Sequence, residues 1–469
     1  AMPTTAPSAT AEALPLSPAD PTGRRTRYRW VILGLIFAGT TINYVDRHVL
    51  NILGPYLQNL YSISKIEWGY VGAAFAWSYA FGQVISGAFL DKVGIRLGYP
   101  LGLALWSLVS ILHAAAVGLG TWVGGGLYAW FGIAVGGAAV GFILMRALLG
   151  LTEGPNFPAA TKTLSEWFPK KERALAMGWV NAGTNIGILI ALLIVEPITS
   201  RFGWQWAFVV SGALGLFWLT FWIPLYRRPA DHPRVSPAEL AYINSDRAEP
   251  ATPIRWRALL TYRQTWAFAI AKFITDAMWW FYMVWFANFL YDRYGLDLKR
   301  IGLPLITVYL IADVGSVAGG WVSSTMIHRG YTVNRARKTA LFLCALLVVP
   351  IMFAAMPGKD WIWVSVILLG LATAGHQGFS SNLFTLVSDT FPRRACGSVA
   401  GLGGFFGYIG GALFSAITGY VLTWTGNQYG GLFFVAGVAY LVALLIIHLL
   451  MPRLEPANID DIVPGAVPA

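Results

Sequence analysis

The stretch EWFPKKERALAMG, residues 166–178, returns as DTFPRRACGSVAG at 389–401, and each copy follows a long apolar run. Working outward, GAFLDKVGIR at 87–96 stands in the first half where GGWVSSTMIHRG at 319–330 stands in the second. The two halves therefore repeat one another. Whether the repeated unit is a membrane bundle depends on the runs between these landmarks.

Those runs are long. The 469 residues are 56% hydrophobic and 12% charged, with 51 glycines and 21 tryptophans. A soluble domain is nearer ~25% charged, and runs of ~20 apolar residues read as membrane spans. Twelve are read here, at 30–58, 66–90, 97–119, 138–163, 173–197, 204–226, 265–291, 302–327, 337–356, 361–388, 397–423 and 429–450. The longest polar interval divides them six and six. The expected chain is an all-α polytopic membrane protein of 12 transmembrane helices in two six-helix repeats. Its parts are a disordered N-terminal tail (1–29), an N-terminal domain (30–226), a linker (227–264), a C-terminal domain (265–451) and a C-terminal tail (452–469). The stretch GTWVGGGLYAWFGIAVGG at 120–137 exceeds what a tight turn needs and is read as an interfacial or re-entrant insert.

A net charge of +11 would suit nucleic acid, but its distribution argues otherwise. Roughly 24 Lys/Arg fall in the tails and alternate loops and about 6 on the other side, the positive-inside asymmetry of a membrane protein with both termini cytoplasmic. No nucleic-acid partner is expected. No cleavable signal peptide is read, and Ala1 ahead of Met2 looks like a cloning remnant. Cys344 and Cys396 suggest neither a disulfide framework nor a metal site.

Within GAFLDKVGIR, Gly87 allows close helix approach, and Gly94 permits a tight turn. Asp91, with Lys92 and Arg96 beside it, can hold an inner gate shut from a helix end, or can be an ordinary charged turn. The first span carries NYVDRHVL at 43–50. A charge inside a span costs about 2.5–3.5 kcal/mol, so Asp46 and Arg47 should face water or the bundle interior. Asn43, Tyr44, Arg47 and Asn51 share one helical face, and the Arg47 fork suits a carboxylate. Mutual neutralisation of Asp46 and Arg47 is the plainer alternative. In the fourth span, Arg146 and Glu153 lie two turns apart on one face. Burial and a nearby arginine act oppositely on such a carboxyl, so Glu153 can take and release a proton. A fixed Arg146–Glu153 or Arg146–Asp46 pair is the structural alternative. Gly154, Pro155 and Pro158 predict a bend just beyond Glu153.

These residues carry a resemblance. GAFLDKVGIR and the twelve-span repeat resemble the major facilitator superfamily. NYVDR, MRALLGLTEGPNFPAATKTLSEWFPKKERALAMGWVNAGTNIG and GWQWAFVVSGALGLFW resemble its anion:cation symporter family. TDAMWWFYMVWFANFLYDRYGLDLKRIG and GHQGFSSNLFTLVSDTFPRR look most similar to bacterial hexuronate transporters. The similarity covers nearly all of 30–455, with 120–137 departing from it. It implies the major facilitator fold, with a substrate site near the midplane between the halves. It also implies symport of a monoanionic sugar acid, a hexuronate such as galacturonate or glucuronate, with protons across a bacterial inner membrane. The protein would be a monomer with no cofactor, driven by the proton gradient. Arg47 would bind the carboxylate, Tyr44 and Tyr79 would line that side, and Asp46 and Glu153, with Arg146, would couple protons.

The C-terminal half is expected to hold the hydroxyls. His376 with Ser380, and Gln377 with Ser381, pair at i, i+4, with Asn382 next, and offer neutral donors and acceptors suited to a polyol. A packed helix contact is the alternative for the histidine. Among Trp279, Trp280, Tyr282 and Trp285, two are given a site role, Trp280 first. Lys272 and Asp276 at i, i+4 either pair or gate, and Asn181, Thr184 and Asn185 are cavity liners or small-residue packing. A symporter for an aldonate or aldarate is the alternative function. An aldarate would want a second cation, and the C-terminal half offers only Lys272, near a span end. No metal-binding HExxH or Gly-rich phosphate loop follows a strand, so an enzyme is not expected.

Overall fold

A computed structural model describes residues 25–131, 136–245, 256–391, 393–455 and 457. Most of both predicted tails lies outside them. The described chain is helical throughout. The first six spans are α1 (Arg29–Tyr61), α2 (Lys65–Val93), α3 and α4 (Ile95–Leu112 and Ala116–Phe131), α5 and α6 (Gly137–Glu153 and Asn156–Trp167), α7 (Lys170–Phe202) and α8 (Trp204–Leu225). Two short helices, α9 (Pro237–Ile243) and α10 (Trp256–Leu259), mark the linker. The second six are α11 (Arg263–Tyr294), α12 (Gly302–His328), α13 (Val333–Val348), α14 (Ile362–Thr390), α15 (Arg393–Thr425) and α16 (Gly430–Leu450).

Ten of these stretches are long and apolar enough to cross a membrane. The two long helices not among them are α1 and α11, the first of each half. They interrupt their apolar faces with buried polar groups, Asn43, Asp46, Arg47, His48 and Asn51 on α1 and Lys272 and Asp276 on α11. A span pays for such groups only where neighbouring helices meet them.

Residues 120–131 of the expected insert continue a span rather than forming a separate element. A single 3-10 turn at 113–115 joins α3 to α4, so the third span runs on through Phe131, while 132–135 lie outside the described residues. Glycines at the two ends of the 120–137 stretch and just beyond serve packing. A Cβ on Gly120 would stand 1.9 Å from the Gly137 carbonyl oxygen, and one on Gly141 would stand 1.8 Å from that of Ala116. Small residues let membrane helices cross this closely. The fourth span bends where expected, between α5 and α6 at Gly154 and Pro155.

The halves meet tightly on the side away from α9. There Lys65 Nζ lies 2.7 Å from Asp292, and Gln58 Nε2 donates to Asn288 Oδ1 at 2.5 Å. A Cβ on Gly419 would stand 2.3 Å from the Lys65 carbonyl oxygen. On the linker side, by contrast, a Cβ on Gly178, Gly397 or Gly404 would meet nothing within 4 Å, and Asn181 and Phe384 are exposed. The central region therefore opens towards the linker. Gly87 lies at this open end, and a Cβ there also meets nothing within 4 Å, so close helix approach is not its role in this arrangement.

Candidate functional site

Arg47 and Glu153 meet at the centre of the first half. Arg47 Nε and Nη2 donate to Glu153 Oε2 at 3.0 and 2.7 Å, with both side chains buried. The Asn43 side chain neighbours the same carboxylate. The guanidinium carbon lies 4.7, 5.0 and 4.6 Å from the ring centroids of Tyr44, Phe75 and Tyr79. Aromatic faces hold a planar cation while leaving its edge donors free, which an ammonium cannot reproduce.

Arg146 pairs with neither acid offered to it by the sequence. It donates to the Arg47 carbonyl oxygen from Nη1 and Nη2, each at 3.1 Å, and to Asn51 Oδ1 at 2.7 Å. It thus pins α5 to the middle of α1 and fixes the backbone under Arg47. Asp46 points the other way. It accepts from Ser110 Oγ at 2.9 Å, and Ser110 reaches Ser211 at 3.2 Å, so Asp46 lies against α3 and α8 rather than beside Arg47. Its second oxygen is buried without a hydrogen bond. With Asp46, Arg47, Arg146 and Glu153 all ionised, the formal charges of the four cancel.

The second half meets this centre through aromatics. Tyr408 on α15 stands edge-on to Tyr79, with centroids 4.8 Å apart, and Trp280 on α11 lies 5.6 Å from Phe75. Lys272 and Asp276 pair at 2.7 Å. Lys272 is buried on α11. A Cβ at Gly407 would collide with the Asp276 carboxylate, so the glycine makes room for the pair.

The run at 376–382 winds around α14 and meets several neighbours. His376 is buried, with Nδ1 2.8 Å from the Tyr440 hydroxyl and its ring stacked on Trp279. Asn382 is wholly buried and donates to the carbonyls of Gly319 and Gly378 at 2.8 and 2.9 Å. In this arrangement His376 packs α14 onto α16 and α11, and Asn382 packs it onto α12 at Gly319. Gln377, Ser380 and Ser381 are half-buried. Thr184 is half-buried on α7 and donates to the Asn181 carbonyl at 2.6 Å, while Asn185 bonds Asp313 of α12 across the seam.

In the 87–96 loop, Gly94 takes φ +80°, which only glycine adopts freely. Asp91 bonds Lys162 of α6 at 2.8 Å, and Lys92 and Arg96 are exposed. The corresponding contact in the second half is Arg337 to Asp389 at 2.8 Å. Each pair ties helices within its own half, so neither spans the seam in this arrangement.

Sequence reasoning passed over His48, Asp313, Tyr408 and the Lys65–Asp292 pair. Asp313 had a usable signal, as a lone carboxylate in an apolar span. Tyr408 and Lys65 had none, being ordinary residues until their helices are brought together.

Comparison with known proteins fits this architecture. The sequence profile of the Major Facilitator Superfamily matches residues 36–415. The D-galactonate transporter of Escherichia coli O6:H1 (strain CFT073) is 30% identical over 93% of this chain and 98% of its own. The hexuronate transporter of Escherichia coli K12 is 30% identical over 92% of this chain and 96% of its own. Among solved structures, a bacterial homolog of the human lysosomal transporter Spinster superposes with a TM-score of 0.68 at 16% identity, covering 93% of this chain and 100% of that one. The chain belongs to the Major Facilitator Superfamily and is a multi-pass membrane transporter, not an enzyme.

Proposed function

We propose that the protein is a proton-coupled symporter that imports a monoanionic sugar acid, a hexuronate such as galacturonate or glucuronate, by alternating access. The observation that carries this reading is the Arg47 fork resting on Glu153. A substrate carboxylate needs the same donors. It can take them only if Glu153 lets go, and a proton on Glu153 makes it let go. The substrate then leaves towards the linker, the side assigned to the cytoplasm by its basic loops. The setting is the bacterial inner membrane, with both termini inside.

The named relatives support a sugar acid as the class of cargo. An aldonate such as galactonate is the second reading, favoured by the D-galactonate transporter among them. An aldarate is disfavoured because Lys272, the cation a second carboxylate would need, is already neutralised by Asp276.

The test is uptake into proteoliposomes of radiolabelled galacturonate, glucuronate, galactonate and glucarate. Accumulation of a monoanion driven by external acid, and abolished by a protonophore, is expected. Accumulation indifferent to both would remove the proton, and absence of uptake would remove the substrate class.

A further inference from the structure

Between the halves, on the closed side of Arg47, lies a small cavity of about 10 Å³. That is room for one water-sized group, such as a single hydroxyl. Its walls come from α1, α7, α11 and α12, and most are apolar, including Ile188, Leu192, Met283 and Leu305. The polar side chains His48 and Asn51 line it from α1.

His48 is wholly buried and half satisfied. Its Nδ1 lies 2.9 Å from the Tyr44 carbonyl oxygen, which fixes the ring hydrogen on Nδ1. Nε2 is then a bare acceptor, and it has no partner. A buried polar atom without a partner costs about 1–3 kcal/mol, so a protein keeps one where something else completes it. Asn51 gives its carbonyl oxygen to Arg146 and keeps its NH2 group as a donor. An acceptor and a donor at one hydroxyl-sized space match a hydroxyl, which donates and accepts.

The position is also right for a group attached to the carboxylate bound at Arg47. The Tyr44 ring touches both, lying 4.7 Å from the Arg47 guanidinium and stacked at 6.0 Å on His48. Tyr309 of the other half closes over His48 edge-on at 6.2 Å. His113 supplies a contrast. It too has Nδ1 on a backbone carbonyl and a bare Nε2, but it stacks on Phe208 inside the first half and does not line this cavity.

We infer that His48 is a specificity-determining residue, accepting through Nε2 a hydrogen bond from one hydroxyl of the sugar acid whose carboxylate Arg47 holds. This rests on the proposed function. It adds that discrimination begins in the first half, on the residue next to the anion-binding arginine. Because Tyr309 caps the same space from the second half, a correctly placed hydroxyl also supports closure of the seam.

The test measures binding of D-galacturonate, D-glucuronate and D-galactonate, each against its monodeoxy analogues, to purified protein and to the H48L and H48Q variants. The parent is expected to prefer one hydroxylated acid over one deoxy analogue by about tenfold to a hundredfold. H48L should bind that pair equally, at the parent's deoxy-analogue strength, and H48Q, which keeps an acceptor oxygen, should recover part of the preference. If H48L is not monodisperse, H48Q and H48N carry the same comparison. A preference unchanged in the variants, or a loss of equal factor for every ligand, overturns the assignment to His48 alone. A parent that binds no sugar acid overturns the proposed function and this subsite together.

Discussion

Both Arg47 contacts fall on one oxygen of Glu153, Oε2, and leave Oε1 free of the arginine. The pair is held by one arm of the carboxylate, and the other arm can take a proton while Arg47 stays in place. Glu153→Gln fixes the protonated character of this group. The variant should keep substrate binding and counterflow exchange while losing accumulation driven by an acid gradient. Accumulation in response to a pH gradient by Glu153→Gln would move the coupling elsewhere, with Asp46 next in line.

Arg47→Lys should abolish saturable uptake and leave expression and monodispersity near those of the parent. Lysine keeps the charge but loses the fork and the stacking of the guanidinium between Tyr44, Phe75 and Tyr79. Uptake near the parent rate would take Arg47 out of the carboxylate site.

Hydropathy and the internal repeat made most of the spans legible, and charged residues in α1 and α5 pointed to the site. What sequence could not assign was partnership. Arg47, Arg146, Asp46 and Glu153 permit several pairings, and the bend after Glu153 together with the packing of α3 and α8 against Asp46 selects one. Helical spacing put His376 and Ser380 on one face of α14 but could not show that the histidine ring stacks on Trp279 and reaches Tyr440. The run 120–137 looked like an insert because glycine marks both turns and close helix crossings.

Glu239 of α9 ties the linker to the start of α1. It accepts from the Thr26 hydroxyl, from the Tyr28 and Arg29 backbone amides, and from the Arg29 guanidinium. Burial alone would raise its pKa, but these four donors outweigh it and hold the carboxyl below the usual range. A depressed folded pKa stabilises above the unfolded value of about 4.3, and the contribution is lost as pH falls through the folded value. Glu239→Gln should therefore cost about 1–3 kcal/mol at neutral pH. The gap in melting temperature between the variant and the parent should narrow below about pH 4. A gap that stays constant down to pH 3 would mean the carboxylate charge contributes nothing to the tie.

Lys65 and Asp292 close the side away from the linker, and their removal should shift the carrier towards the opposite opening. The pair is mostly buried, joins α2 to α11 across the seam, and shares Asp292 with the Tyr429 hydroxyl at 2.8 Å. A cavity of about 400 Å³ between α1 and the end of α11, lined by Pro55, Tyr56, Asn59 and Tyr291, reaches Ile52. Ile52 also borders the small cavity beside His48, so it stands between the closed side and the site. A cysteine at position 52, with Cys344 and Cys396 changed to serine, reports which way the carrier opens. In the otherwise intact protein an impermeant maleimide added from that side should label it slowly. Asp292→Asn removes the ion pair, worth about 1 kcal/mol, and should raise labelling roughly fivefold. Exchanging the two charges, with Lys65→Asp and Asp292→Lys together, should return labelling towards the starting rate. If labelling does not change in Asp292→Asn, the helix packing around Gly419 and Lys65 holds the seam by itself and the ion pair is incidental to it.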